Sequence, residues 1–418
     1  MKTDASTARL IDRIVDRARL EKLADWLAAA AVAAMPWSTS ISEILIVCWL
    51  VAVLPTLDVA MVRREVQSAA GGLPVLLWVL GVLGMVWAAD ISWAERFAGL
   101  KSFHKLLVIP LLLAHFRRSE RGWLVLYAFL ASCIALLIAS VITSFGPFHR
   151  PGKLPGIPVR DYIAQSTEFL ICLFALLAVA YGQWRAGRGR HAAISAILAG
   201  LFLANILLVS TGRTALIVVP LLLLLLGFRF FGWKGTAAAV LASVIITGVA
   251  WFTSPFLRER IHFTMVDAQA YQQSSTEVTS TAARAEMYRK SLRFIAAAPV
   301  IGHGTGSIPD QFRRAATGEG LSALAANNPH NQIFAVAIQL GALGTVVLLA
   351  MWAAHFLLFR GGGLIPWIGT VIVVQSFVSS LFNTHLFDSF HGWLYVFGVG
   401  VVGGLALRGT PLTEAEPP

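Results

Sequence analysis

Apolar residues come in long, nearly unbroken runs along this chain, divided by short polar or basic breaks. They follow neither the three-and-four spacing of a soluble amphipathic helix nor the alternation of a half-buried strand. A bilayer core of about 30 Å takes roughly 20 apolar residues at 1.5 Å rise each. Twelve runs reach or approach that length, near 23–36, 41–57, 73–91, 97–116, 122–145, 161–183, 191–209, 212–231, 236–253, 330–358, 364–382 and 391–408. They predict an all-α polytopic membrane protein with about twelve transmembrane helices. Residues 1–22 are polar and basic, with Leu10, Ile11, Ile14, Val15 and Ala18 on one helical face and Arg9, Arg13 and Arg17 on another. That pattern predicts a helix lying on the inner leaflet rather than a cleavable signal peptide. The expected order is an interfacial helix over 1–22, nine spans over 23–253, a loop region over 254–329, three spans over 330–408 and a tail over 409–418.

Composition agrees. Of the 418 residues 57% are hydrophobic and 13% charged, against about 25% charged in soluble domains. A soluble fold, a disordered chain and a disulfide-stapled module are excluded. The 33 Lys+Arg against 22 Asp+Glu give a net charge of +11. Because the basic residues are scattered between apolar runs, anionic lipid and an anionic substrate are the expected partners, not nucleic acid. Cys48, Cys133 and Cys172 all lie in apolar runs without metal or disulfide spacing. Basic residues recur at alternate connections (Arg63/Arg64, Arg117/Arg118/Arg121, Arg185/Arg188/Arg190, Arg229/Lys234, Arg360), which puts both termini in the cytoplasm by the positive-inside rule.

The outward connections that break this rule hold the candidate chemistry. One carries Arg150, Lys153 and Arg160 among Pro and Gly; contact with a substrate phosphate is one reading of them. The long loop has eight basic residues against six acids. Loops of that length are functional or disordered, and the helix formers from Thr281 to Ala298 predict an ordered helix presenting Arg284 and Tyr288 on one face. Arg289 is a further candidate contact there, whereas Arg258, Arg260, Arg313 and Arg314 read as solvated charges. Arg213 sits in a one-turn break, Ser210-Thr211-Gly212-Arg213, where it either snorkels to lipid phosphate or meets an anion beside a helix N-terminus. Lys101, His104 and Lys105 share a helical face and either line the same cavity or pair with Glu168. Asn327-Asn328-Pro329-His330 reads as a capped start to the tenth span, with His330 at the membrane surface. A helix N-terminus and nearby arginines keep such an imidazole neutral and able to accept a proton. His385 and Asp388 supply two metal-ligand types, which is too few for a site.

The Ser-Thr-Gly-Arg213 turn, Arg284, Pro299-x-x-Gly302-x-Gly304 and Pro329-His330-Asn331 ahead of Gly341-x-x-Gly344 occur in an order that resembles the O-antigen ligase (WaaL-type) members of the O-antigen ligase/polymerase superfamily. The resemblance implies a GT-C-like fold in the bacterial inner membrane, with the active site facing the periplasm. It implies transfer of O-antigen glycan from undecaprenyl pyrophosphate to the lipid A–core, inverting and without metal or other cofactor. It assigns His330 as catalytic base and Arg213 and Arg284 as pyrophosphate ligands; Asp388 is a candidate to orient His330. The alternatives are an O-antigen polymerase and a protein O-oligosaccharyltransferase using the same donor. Polymerases pair two Arg-x10-Gly motifs, and Arg293…Gly304 is the single outward match here. A transporter of lipid-linked glycan is the alternative of a different class. It needs no base, so His330→Ala would spare it.

Overall fold

A computed structural model describes residues 16–145, 154–210, 212–253, 258, 280–318 and 320–408. Those residues form helices without strands. In chain order they are α1 (Arg17–Ala34), α2 (Thr39–Val53), α3 (Val59–Gln67), α4 (Ala69–Gly84), α5 (Trp93–Lys101), α6 (Val108–Phe116), α7 (Gly122–Ser144) and α8 (Tyr162–Arg185). There follow α9 (Gly189–Leu208), α10 (Arg213–Thr253), α11 (Ser280–Ala297), α12 (Ile308–Arg314), α13 (Gln332–Leu358), α14 (Leu364–Ser380) and α15 (Ser389–Arg408).

Among the described residues seven helices are long and apolar enough to cross a membrane, or nine if each bent pair counts once. The bent pairs are α3 with α4, turned by 87°, and α5 with the helix from His104, turned by 46°. The expected twelve differ for three physical reasons. The run at 23–36 belongs to α1, whose Arg17, Arg19, Glu21, Lys22 and Asp25 keep it from qualifying; helix 1–22 therefore has no boundary at 22, and residues 1–15 lie outside the described part. The runs 212–231 and 236–253 are two helical stretches that meet at a kink at Gly232 (φ 61°), where the backbone of Gly227 comes against that of Gly235; α10 and the span count take them together. The run at 364–382 gives α14, which at 17 residues is short.

Packing is not sequential throughout. Helix α8 lies along α9, α1 along α2 and α7, α15 along α6, and α13 along α4, with α14 against α15 and α8. The glycine motifs explain how the long loop is anchored. Gly341 takes φ 60° and breaks α13, and the 299–304 segment lies in the break. His303 and Gly304 donate their N–H groups to Ile338 and Gln339 carbonyls at 2.8 and 2.9 Å. Ala342 and Leu343 donate to Pro299 and Val300 carbonyls at 2.8 and 3.2 Å. The backbone groups freed by the break are thus satisfied by the crossing segment, as buried peptide groups must be. A Cβ on Gly341 would stand 2.4 Å from the Val300 carbonyl carbon. Gly341→Ala should therefore lower the melting midpoint in detergent by several degrees, since left-handed strain alone costs about 1–3 kcal/mol. An unchanged midpoint would contradict this account of the break.

Candidate active site

His330 precedes α13 rather than opening it. Asn331 is the N-cap, its side-chain oxygen accepting from the Phe334 N–H at 3.1 Å. His330 stands one residue earlier in the left-handed region at φ 52°, held by its own N–H to Asn328 Oδ1 at 2.7 Å. The Tyr288 hydroxyl on α11 reaches the His330 carbonyl at 3.1 Å and the Leu381 carbonyl at 3.2 Å. The imidazole Nδ1 lies 3.1 Å from Asn383 Oδ1. The ring is half-buried and lines a cavity of about 450 Å³ with Glu95, Asn327, Asn328, Asn383, Thr384 and Asp388. Burial lowers the pKa of His330; the Asn383 bond acts the other way and the positive charge of Arg284 adds to the lowering, leaving a net downward shift. At neutral pH the ring is an uncharged proton acceptor.

Arg284 lines a second cavity of about 140 Å³. Its other walls come from Ser166 and Thr167 of α8, Gly212 and Thr214 at the start of α10, Gln375 of α14, and His385. Arg284 makes no hydrogen bond or ion pair among the described residues, while its neighbours on α11 do: Arg289 grips Glu286 through two bonds at 2.7 and 2.5 Å. A half-buried guanidinium beside the first turn of a long helix favours an anion, by charge and by the helix dipole together. The two cavities share the 383–388 segment as a wall, with His385 on the Arg284 side and Asn383, Thr384 and Asp388 on the His330 side.

Residues 198–349 match the family model described as O-antigen ligase, a stretch that takes in the 210–213 turn, Arg284 and His330. Over that stretch, a little over a third of the chain, the protein is similar to the O-antigen ligase family. No curated protein matches the chain. The match and the apolar helices together support a membrane enzyme of the O-antigen ligase/polymerase type.

The remaining residues singled out from the sequence take different places. Arg150 and Lys153 lie outside the described residues, as does the side chain of Arg213, whose backbone opens α10 at the Arg284 cavity. Asp388 does not orient His330. Its carboxylate accepts from the His391 N–H and faces Nδ1 of the same residue, each at 2.9 Å; Asn383 stands at the His330 ring instead. Burial would raise the Asp388 pKa, but the His391 bonds and the Lys105 charge hold it well below the usual carboxylate range. Lys105 does not pair with Glu168: its ammonium donates to the Asp388 and Phe387 carbonyls at 2.5 and 3.3 Å, fixing the shared wall. A 46° bend separates the helix that ends at Lys101 from the one that starts at His104; Lys101 and His104 are exposed and Lys105 is buried. Arg160, at φ 43°, donates twice to the Met35 carbonyl at 3.1 and 2.7 Å and covers the Phe390 ring at 4.5 Å, so it clasps the end of α1. Asn383, Gln375 and His385 were not read as site residues. Their one sequence signal is polarity at the outward end of an otherwise apolar run.

Proposed function

We propose that the protein is an O-antigen ligase, transferring glycan from undecaprenyl pyrophosphate to a sugar hydroxyl of the lipid A–core at the periplasmic face, with inversion and without metal. The observation that carries this reading is the pair of cavities divided by the 383–388 segment: a cation and a helix start on one side, a neutral imidazole among amides and carboxylates on the other. The first suits a diphosphate; the second suits sugar hydroxyls, which amide and carboxylate groups bind through hydrogen bonds. In the reaction the acceptor oxygen attacks the anomeric carbon and the bond from that carbon to the donor phosphate oxygen breaks. The electron pair leaves on the pyrophosphate, where Arg284, the start of α10 and Arg213 stabilise it. The acceptor proton passes to His330, which becomes imidazolium. Among the described residues no three His, Cys, Asp or Glu side chains gather as metal ligands.

The test is reconstitution. Vesicles holding the purified chain, lipid-linked O-antigen and lipid A–core should yield capped lipopolysaccharide at an undiminished rate in EDTA. Strict dependence on added divalent metal would overturn the metal-free mechanism. Growth of the glycan on its lipid, or its transfer to protein, in place of capping would move the assignment to a polymerase or an oligosaccharyltransferase.

A further inference from the structure

We infer that Asn383 is a positioning residue that fixes the reacting tautomer of His330, keeping the ring proton on Nδ1 and the lone pair on Nε2. The inference rests on the reading of His330 as general base. It starts from an atom whose identity is settled by its neighbours. Asn383 Oδ1 accepts from the Thr384 backbone N–H at 3.0 Å. A peptide N–H can only donate, so the atom it meets is the amide oxygen and not the nitrogen. The same oxygen lies 3.1 Å from His330 Nδ1, and an oxygen already accepting can only accept again. Nδ1 must therefore carry the proton. In a neutral imidazole that leaves Nε2 as the basic nitrogen. Nε2 makes no hydrogen bond among the described residues, and the ring borders the larger cavity.

The register between residues 330 and 383 is built from bonds that do not involve the imidazole. Tyr288 bridges the carbonyls of His330 and Leu381. Asn331 donates from Nδ2 to the Leu381 carbonyl at 3.0 Å, and Gln332 Oε1 accepts the Leu386 N–H at 3.1 Å. The start of α13 and the 381–386 segment are thus laced together, so losing the Asn383 amide would free the ring without dismantling its support.

An amide is also the right chemical group. When His330 takes the acceptor proton on Nε2, Nδ1–H stays bonded to a neutral oxygen. A carboxylate at 383 would hold the same tautomer but would favour imidazolium before the reaction began. The charges facing the ring leave that choice decisive: Arg284 and Tyr288 approach from α11, Glu95 from α5, and Asp388 from the shared wall. Glu95 is already held by Arg313 and Ser92, and Asp388 by His391.

The test compares Asn383→Leu and Asn383→Asp in reconstituted vesicles, with transfer rates followed from about pH 5 to pH 9. Asn383→Leu should cut kcat by on the order of 10- to 100-fold at every pH while KM for the lipid-linked donor stays within about twofold. Asn383→Asp should move the acid limb of the rate profile upward by about one pH unit or more, being slowest at low pH and recovering at high pH. A purely structural role would lower the yield of folded protein and leave the limb in place. An unmoved limb in Asn383→Asp, or near-normal kcat in Asn383→Leu, overturns the assignment. His330→Asn separates the two readings: if it is inactive while the Asn383→Asp profile is unmoved, only the role of Asn383 falls; if it remains active, the base itself is misassigned.

Discussion

Replacing His330 should reduce glycan transfer by on the order of 10²- to 10⁴-fold, the range spanned by a positioned general base. The acceptor hydroxyl has a pKa far above neutrality, so as it attacks it needs a group that is uncharged beforehand and basic enough to take the proton. Burial and the charge of Arg284 keep the imidazole in that state. The choice of variant matters because His330 sits at φ 52°. Alanine is poorly suited to left-handed backbone, whereas asparagine adopts it readily. His330→Asn therefore keeps the turn and removes the base. The main-chain bonds to Asn328 and Tyr288 do not use the ring, so the variant should show the parent melting midpoint and elution profile in detergent. Transfer within about threefold of the parent rate, measured on protein folded by those criteria, would remove His330 from the chemistry.

The parts of this molecule legible in sequence are those fixed by local rules. Apolar run length located helices along the described residues, though seven to nine of them, not twelve, are long and apolar enough to cross a membrane. The family resemblance singled out Arg284 and His330, and the structure puts each on the lining of a cavity. The failures concern pairing across the fold. Three asparagines, 327, 328 and 331, could cap α13; packing used Asn331 and turned Asn328 to the His330 N–H, which shifted the helix start. Asp388 was a reasonable partner for His330 until His391, three residues on, took its carboxylate. Lys105 and Arg160 found carbonyls on distant segments. Asn383, 53 positions from His330, has no local pattern that could point to it. Residue type predicts what a side chain can do; which neighbour it meets is decided by the tertiary contacts.

Arg284 offers the second large effect, and one with two separable signatures. Arg284→Ala should slow transfer by on the order of 10²- to 10³-fold, the scale set by loss of one fixed group at a site of developing charge. The same change should also be felt at His330. Arg284 disfavours a second positive charge nearby, so its removal eases protonation of the imidazole and raises that pKa. The neutral base is then lost at higher pH, and the acid limb of the rate profile moves upward. Arg284→Lys retains a positive charge close to where the guanidinium stood, so the limb should return toward its parent position. The rate should not recover with it, because an ammonium is a point charge and lacks the planar fork that meets two phosphate oxygens at once. A mutant series in which the limb follows charge while the rate follows geometry would tie the two cavities to one reaction. Full recovery of rate in Arg284→Lys would show that charge alone suffices there. A parent-like rate in Arg284→Ala would place the diphosphate elsewhere.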